Sequence, residues 1–226
     1  LELVVNPLPW SHSALQDFLT CGKQYYEVRI AKSVAKGTNE YGDWGDYVHK
    51  QFDAYMKAGG AYTLPENIAH YEPYIAQFLH LKGEVFSERQ YAINRLMQPC
   101  GFKDKGVWCR GVIDILQINK RKALAVDHKT GKRKEDSPQL RLCALLVFIH
   151  HPEVEQCDVH FNWLKVDQRD IETFYRRDEK ELWATFKDDL TKYVFAFKNE
   201  MFLPRPSGLC NGWCPVTHCE YWKPKR

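Results

Sequence analysis

Apolar positions along this chain follow two periods, and the switches between them mark out its elements. Leu15, Phe18 and Leu19 recur at helical spacing behind Ser11 and Ser13, either of which can cap, and predict a helix ending near Cys21-Gly22. Tyr41-Gly-Asp-Trp-Gly45 leads into a second helix whose Val48, Phe52, Tyr55 and Met56 share a face, with His49 at its edge and Gly59-Gly60 as its stop. A third amphipathic helix is expected after Pro65, with Ile68, Tyr71, Ile75, Phe78 and Leu79 as its stripe. The pattern then turns extended. Strands are predicted over 86–96, 107–118 and 123–129, with Asn119-Lys-Arg-Lys122 as the hairpin between the last two. Ser137-Pro138 reads as the start of a helix that buries Leu140, Cys143, Ala144, Val147 and Phe148. Two further strands, 158–166 and 171–176, precede a long helix opened by an Asp178–Glu181 capping pair and carrying Leu182, Phe186, Leu190, Tyr193, Val194 and Phe197. Beyond Asn199 the tail has no period.

Helices, three strands, a helix, two strands and a helix predict an α/β fold, a central mixed β-sheet flanked by helices. At 226 residues one domain over 1–226 accounts for the whole. A 44% hydrophobic and 27% charged composition is that of a globular chain rather than a disordered one. No apolar run approaches the roughly 20 residues of a membrane span, and the first residues lack a signal-peptide layout. A soluble, cytoplasmic protein is expected, in the host cytoplasm if the gene is a phage's. The net charge of +3 permits a nucleic-acid partner without demanding one. Lys120, Arg121, Lys122, Lys129, Lys132, Arg133 and Lys134 concentrate cations locally, either as a phosphate-tracking segment or as a solvated loop.

The densest chemistry lies in the central hairpin. Residues two apart on a strand share a face, so Asp127 and Lys129 point together, and Asp114 falls on the neighbouring strand. Two carboxylates brought side by side repel unless a cation sits between them. A divalent ion with oxygen ligands, Mg²⁺ or Mn²⁺, resolves that conflict. Lys129 then stands where it can stabilise charge on a phosphate.

Gly111-x-x-Asp114, then Asp127-x-Lys129-Thr-Gly131, then Gln139 at a helix start resembles the PD-(D/E)XK nuclease superfamily, and within it the RecB-like branch that includes Cas4, AddB-type and phage exonucleases. Gly45-Asp-Tyr-Val-His49 fits that branch's upstream histidine setting. The resemblance implies a restriction-endonuclease-like core. It implies metal ligation by His49, Asp114, Asp127 and the backbone carbonyl of His128, a catalytic Lys129, and a positioning role for Gln139. Glu88 occupies the place of a further acidic residue. Where the branch has Q-x-x-x-Y, Gln139-Leu-Arg-Leu-Cys143 keeps the glutamine and replaces the tyrosine. The implied activity is metal-dependent hydrolysis of DNA at ends or in single strands, with a Cas4-like processing enzyme or a silent DNA-binding subunit as alternatives. No protein partner is indicated.

Members of that branch can carry an iron-sulfur cluster on one cysteine before the core and three after it. Cys21 and Cys210, Cys214 and Cys219 match that distribution, and a 4Fe–4S cluster needs four thiolates. Tetrahedral zinc on the same cysteines, or with His218 replacing one, is the competing reading, and free thiols the third. Trp44, Tyr47, Trp108, Trp163 and Trp213 are of a type that stacks on unpaired bases, although most aromatic residues must serve the core.

Overall fold

The computed structural model describes residues 7–35, 37, 40–133 and 138–225. The chain divides into two compact units, one of Leu1–Thr38 with Phe186–Arg226 and one of Asn39–Thr185. Among the described residues no helix is long and apolar enough to cross a membrane.

In chain order the helices are α1 (His12–Thr20), α2 (Gly22–Tyr25), α3 (Glu40–Lys57), α4 (Glu72–Ala76), α5 (Pro138–His150), α6 (Glu179–Ala184) and α7 (Lys187–Lys198). The strands are β1 (Glu84–Asn94), β2 (Pro99–Cys100), β3 (Val107–Asn119), β4 (Lys122–Lys129), β5 (Gln156–Trp163) and β6 (Gln168–Tyr175). They form one sheet in the order β2-β1-β3-β4-β5-β6. All pairs are antiparallel except β4 with β5, which α5 connects as a parallel crossover. The mixed sheet expected from the sequence is therefore present.

One face of this sheet meets α3. Val48, Phe52 and Tyr55 pack with Ile68, Ile75, Phe78, Ile115, Val126 and Leu164 into a buried core. Helix α5 buries Leu140 and every residue from Leu142 to Phe148. Apolar cover that complete is what a helix needs when it is enclosed by β1, β3, β4 and β5 and by α6. Gly111 makes the approach possible: a Cβ there would come within 2.8 Å of the Leu146 side chain.

Three expected elements differ. The third helix breaks into a 3₁₀ segment, Glu66–Tyr71, and the short α4. Pro73 is the cause, because it has no N–H for an interior turn and is tolerated only at a helix start. The long last helix is two, α6 and α7, separated at Thr185, whose hydroxyl bonds back to the Leu182 carbonyl at 2.7 Å. Asp178 makes no capping bond. It lies in a 3₁₀ turn at φ −97, ψ 9 rather than in the extended geometry a cap requires. The helix start expected at Ser137 lies partly outside the described residues.

The other unit is built on aromatics. Phe18, Tyr25, Tyr193, Phe197 and Phe202 contact one another edge-on or tilted. The Tyr25 and Tyr193 hydroxyls meet at 2.7 Å, and Tyr193 donates to the Leu8 carbonyl. Ser11 caps α1 by accepting from the Ala14 N–H. Gly22 lies under the tail: a Cβ would stand 2.8 Å from the Leu203 carbonyl oxygen.

Candidate active site

Strands β3 and β4 are paired from Ile115↔Val126 to Asn119↔Lys122. Continuing that register one step sets Asp114 against Asp127, where the strands part. There the backbone N–H of His128 donates to Asp114 Oδ2 at 2.6 Å. On the opposite side of β3, Glu88 lies between the pairs Ser87↔Ile115 and Arg89↔Ile113. Its φ of 48 is left-handed, a strained conformation for a residue with a side chain.

Helix α3 brings the histidine. A Cβ on Gly45 would lie 3.3 Å from the Thr130 hydroxyl, so the helix seats closely against the end of β4. One turn on, His49 shares Gly45's face. Its Nδ1 lies 3.1 Å from Asp114 Oδ2 and 3.8 Å from Glu88 Oε1. Ligand atoms of His49, Glu88 and Asp114 all fall within 4.8 Å of one another.

Asp127 and Lys129 point together, as their spacing requires. Lys129 Nζ lies 2.8 Å from Asp127 Oδ1 and donates to Gln139 Oε1 at 3.0 Å, while the Gln139 amide donates to the other Asp127 oxygen. Gln139 thus locks the lysine to the carboxylate from α5. The Phe161 ring centroid lies 5.0 Å from the ammonium, a contact that nothing in the sequence marked.

These charges set one another. Burial opposes the imidazolium of His49, but Asp114, Glu88 and Asp127 outweigh it and hold the group up to about 11. Burial raises Asp127 to about 6 against the pull of Lys129, and Asp114 adds repulsion. Asp114 stays low despite burial because His49 and the His128 N–H stabilise its charge. Burial also opposes the charge of Lys129, and Asp127 reverses the shift.

The His128 side chain takes the other face of β4. It is 1% exposed, its ring edge-on to Phe52 and Phe78, and neither ring nitrogen has a hydrogen-bond partner among the described residues. Burial lowers its pKa to about 4. Unpaired buried polar atoms cost about 1–3 kcal/mol, a cost that an apolar side chain of similar size removes. His128→Leu is expected to raise the melting temperature by about 2–6 °C at pH 7. Because the unfolded histidine takes a proton below its usual 6.5 and the folded one does not until about 4, the advantage should grow as pH falls through that window. Equal or lower melting temperatures across pH 5–7 would contradict this account.

The cationic segment does not form one patch. Lys122 and Lys129 end opposite sides of β4, about 23 Å apart at the usual strand rise. Arg121 pairs with Glu155 and Arg133 with Asp170, and Lys134 lies outside the described residues. Trp163 is buried and donates to Asp170. In the other unit, Cys21, Cys210, Cys214 and Cys219 line a single cavity. Backbone N–H groups of Arg205 and Ser207 point at the Cys21 and Cys210 sulfurs. Burial and then the three neighbouring cysteines raise the Cys214 thiol.

A histidine and carboxylates able to share a cation, beside a lysine clamped to an acid at the mouth of a splayed hairpin, define a nuclease-type centre. The chain belongs to the PD-(D/E)XK nuclease superfamily, whose family model matches residues 9–221. Two solved structures resemble it at 13% identity and a TM-score of 0.49. One is SSO0001, over 97% of this chain and 90% of that one. The other is a Eubacterium rectale protein bearing the provisional name exonuclease, over 94% of this chain and 86% of that one. Likeness at that level carries no argument about the reaction. No curated protein matches the chain.

Proposed function

We propose that this chain is a Mg²⁺- or Mn²⁺-dependent deoxyribonuclease of the RecB-like type, an exonuclease acting on DNA ends or single strands in replication, recombination or repair. The observation that carries the reading is the convergence of His49, Glu88 and Asp114 beside the Asp127–Lys129–Gln139 triangle. The donor set suits a hard divalent ion: carboxylate oxygens with one imidazole, and an acid pair that is repulsive without a cation. His49, Asp114, Asp127 and the His128 carbonyl would hold it, with Glu88 as a further ligand. When bound, such a cation supplies Lewis-acid charge at the phosphate and lowers the pKa of water.

The chain's own groups do the rest. Lys129 donates to a phosphate oxygen as negative charge grows, from a position that Asp127 and Gln139 fix in advance. Gln139 holds the ammonium at 3.0 Å. Asp127, raised towards neutrality, accepts a proton more readily than an ordinary carboxylate at the same pH.

The four cysteines around one cavity are assigned to a 4Fe–4S cluster. Tetrahedral zinc, with bonds near 2.3 Å, draws its sulfurs to within about 4 Å of each other. Among the described residues no three cysteine sulfurs lie within 4.8 Å. That spacing favours the larger cubane, and the N–H groups aimed at two sulfurs suit anionic thiolates. All eight cysteines are free of disulfides, as suits a reducing cytoplasm.

Digestion of end-labelled linear and circular DNA, single- and double-stranded, tests the reading. Cleavage in Mn²⁺, its loss in EDTA and resistance of circles are expected. Cleavage unaffected by EDTA would refute the metal assignment, and rapid cutting of circles the exonuclease assignment.

Metal binding should also release protons. His49 holds its proton to about pH 11, so a cation that takes the imidazole displaces that proton anywhere between pH 6 and 9. Mn²⁺ affinity is expected to rise about tenfold per pH unit over that range. Calorimetry in buffers of different ionisation enthalpy reads the release directly, and a pH-independent affinity would remove His49 from the ligand set.

A further inference from the structure

A groove of about 610 Å³ runs from Glu88 along β1, between that strand and the ends of α3 and the segment after α4. Its volume is that of a small-molecule site, roughly 300–1,000 Å³. Met56, Phe78, Leu79 and Phe86 give it apolar walls, and Lys57 and Arg89 stand among its lining residues. It follows an open edge: β1 pairs with β3 along its length but with β2 only at Ala92 and Ile93.

One backbone feature links this groove to the reaction centre. The left-handed Glu88 interrupts the alternation of β1. It directs the Glu88 carboxylate to His49, 3.8 Å away, and lets the next residue, Arg89, stand over the Phe86 ring at 4.8 Å. No carboxylate pairs with Arg89 among the described residues, whereas Lys57 is tied to Asp53 at 2.6 Å. An uncommitted guanidinium over an aromatic ring, beside an apolar wall, offers both halves of a nucleotide a contact: stacking for the base, charge for the phosphate.

We propose that this groove holds the unpaired nucleotide next to the scissile phosphate, and so selects single-stranded DNA. The inference rests on the nuclease reading above and deepens it. The base lies against Phe86 and Leu79, and Arg89 meets the adjoining phosphate. A paired base keeps its face inside the duplex stack and cannot make the first contact, which is the source of the preference.

Fluorescence anisotropy of a 5′-fluorescein oligothymidylate, and of a matched blunt duplex, tests this with the full chain in Ca²⁺, which avoids dependence on turnover. Arg89→Ala should weaken single-strand binding about tenfold and Arg89→Lys by less. Gln90→Trp, which fills the groove from an exposed strand position, should weaken it about tenfold as well. Duplex binding should change less than twofold. Single-strand affinities within twofold of wild type for Arg89→Ala and Gln90→Trp, both with native melting curves, would overturn the proposal and leave the open edge to an extended peptide. If one variant does not fold, the other decides. A wild-type chain that binds the oligonucleotide through this groove but cleaves no DNA in Mn²⁺ would sink the nuclease reading and leave the groove assignment standing.

Discussion

Lys129→Met is expected to cut Mn²⁺-dependent DNA cleavage by about a thousandfold, the scale seen when one preorganised donor to developing charge is removed. The loss should fall on kcat, since the ammonium is placed for the transition state more than for binding. A second consequence separates this from simple misfolding. Removing the ammonium leaves the buried Asp127, already raised to about 6, without its partner at 2.8 Å. The carboxylate escapes that penalty by taking a proton, so the variant should melt below wild type at pH 8 and approach it at pH 5. Full turnover in Lys129→Met, or a melting deficit that does not shrink at low pH, would remove the lysine from the role proposed for it. Asp127→Asn should be as inactive as Lys129→Met, because the lysine, the glutamine and the acid act as one clamp and their losses do not add.

Cys214→Ser is expected to abolish broad absorbance near 400 nm in anaerobically purified protein and to lower the melting temperature of its unit by about 10 °C or more. Cys214 is the cysteine whose thiol responds to Cys21, Cys210 and Cys219 together, so its loss opens the cavity they share. The unit has few other anchors for its tail: the 3₁₀ segment Gly208–Cys210 and the isolated bridge Asn211↔Lys223 are its regular backbone features after α7. A colourless wild-type protein with one zinc per chain would replace the cluster by the competing metal. Unchanged stability and colour in the variant would dismiss both.

Several of these residues were legible because their local pattern is the cause of their placement. Period two in Asp127 and Lys129 is a property of any strand, and Gly45 and His49, four apart, share a face on any helix. Glu88 was harder. Its membership in the cluster depends on a left-handed residue inside β1, which no propensity would place there. Phe161 carries no mark at all, because its contact with Lys129 crosses from β5 to β4. The expected third helix failed at Pro73, where the stripe of apolar residues was present but the missing N–H was not weighed. The last helix failed at Thr185, where apolar spacing continues through a break in the backbone.

The sequence by itself determined the mixed sheet, the hairpin that carries the acids and lysine, and the grouping of chemistry around positions 114 to 139, since these follow from periodicity and from which side chains share a face. Only the tertiary structure decided that Glu88 joins His49 and Asp114, that Gln139 bridges lysine to acid, and that four distant cysteines line one cavity. The physical reason is the same for all three. Each depends on distances between elements far apart in the chain, and those distances are fixed by packing, such as the close approach that Gly45 and Gly111 permit, rather than by any local preference.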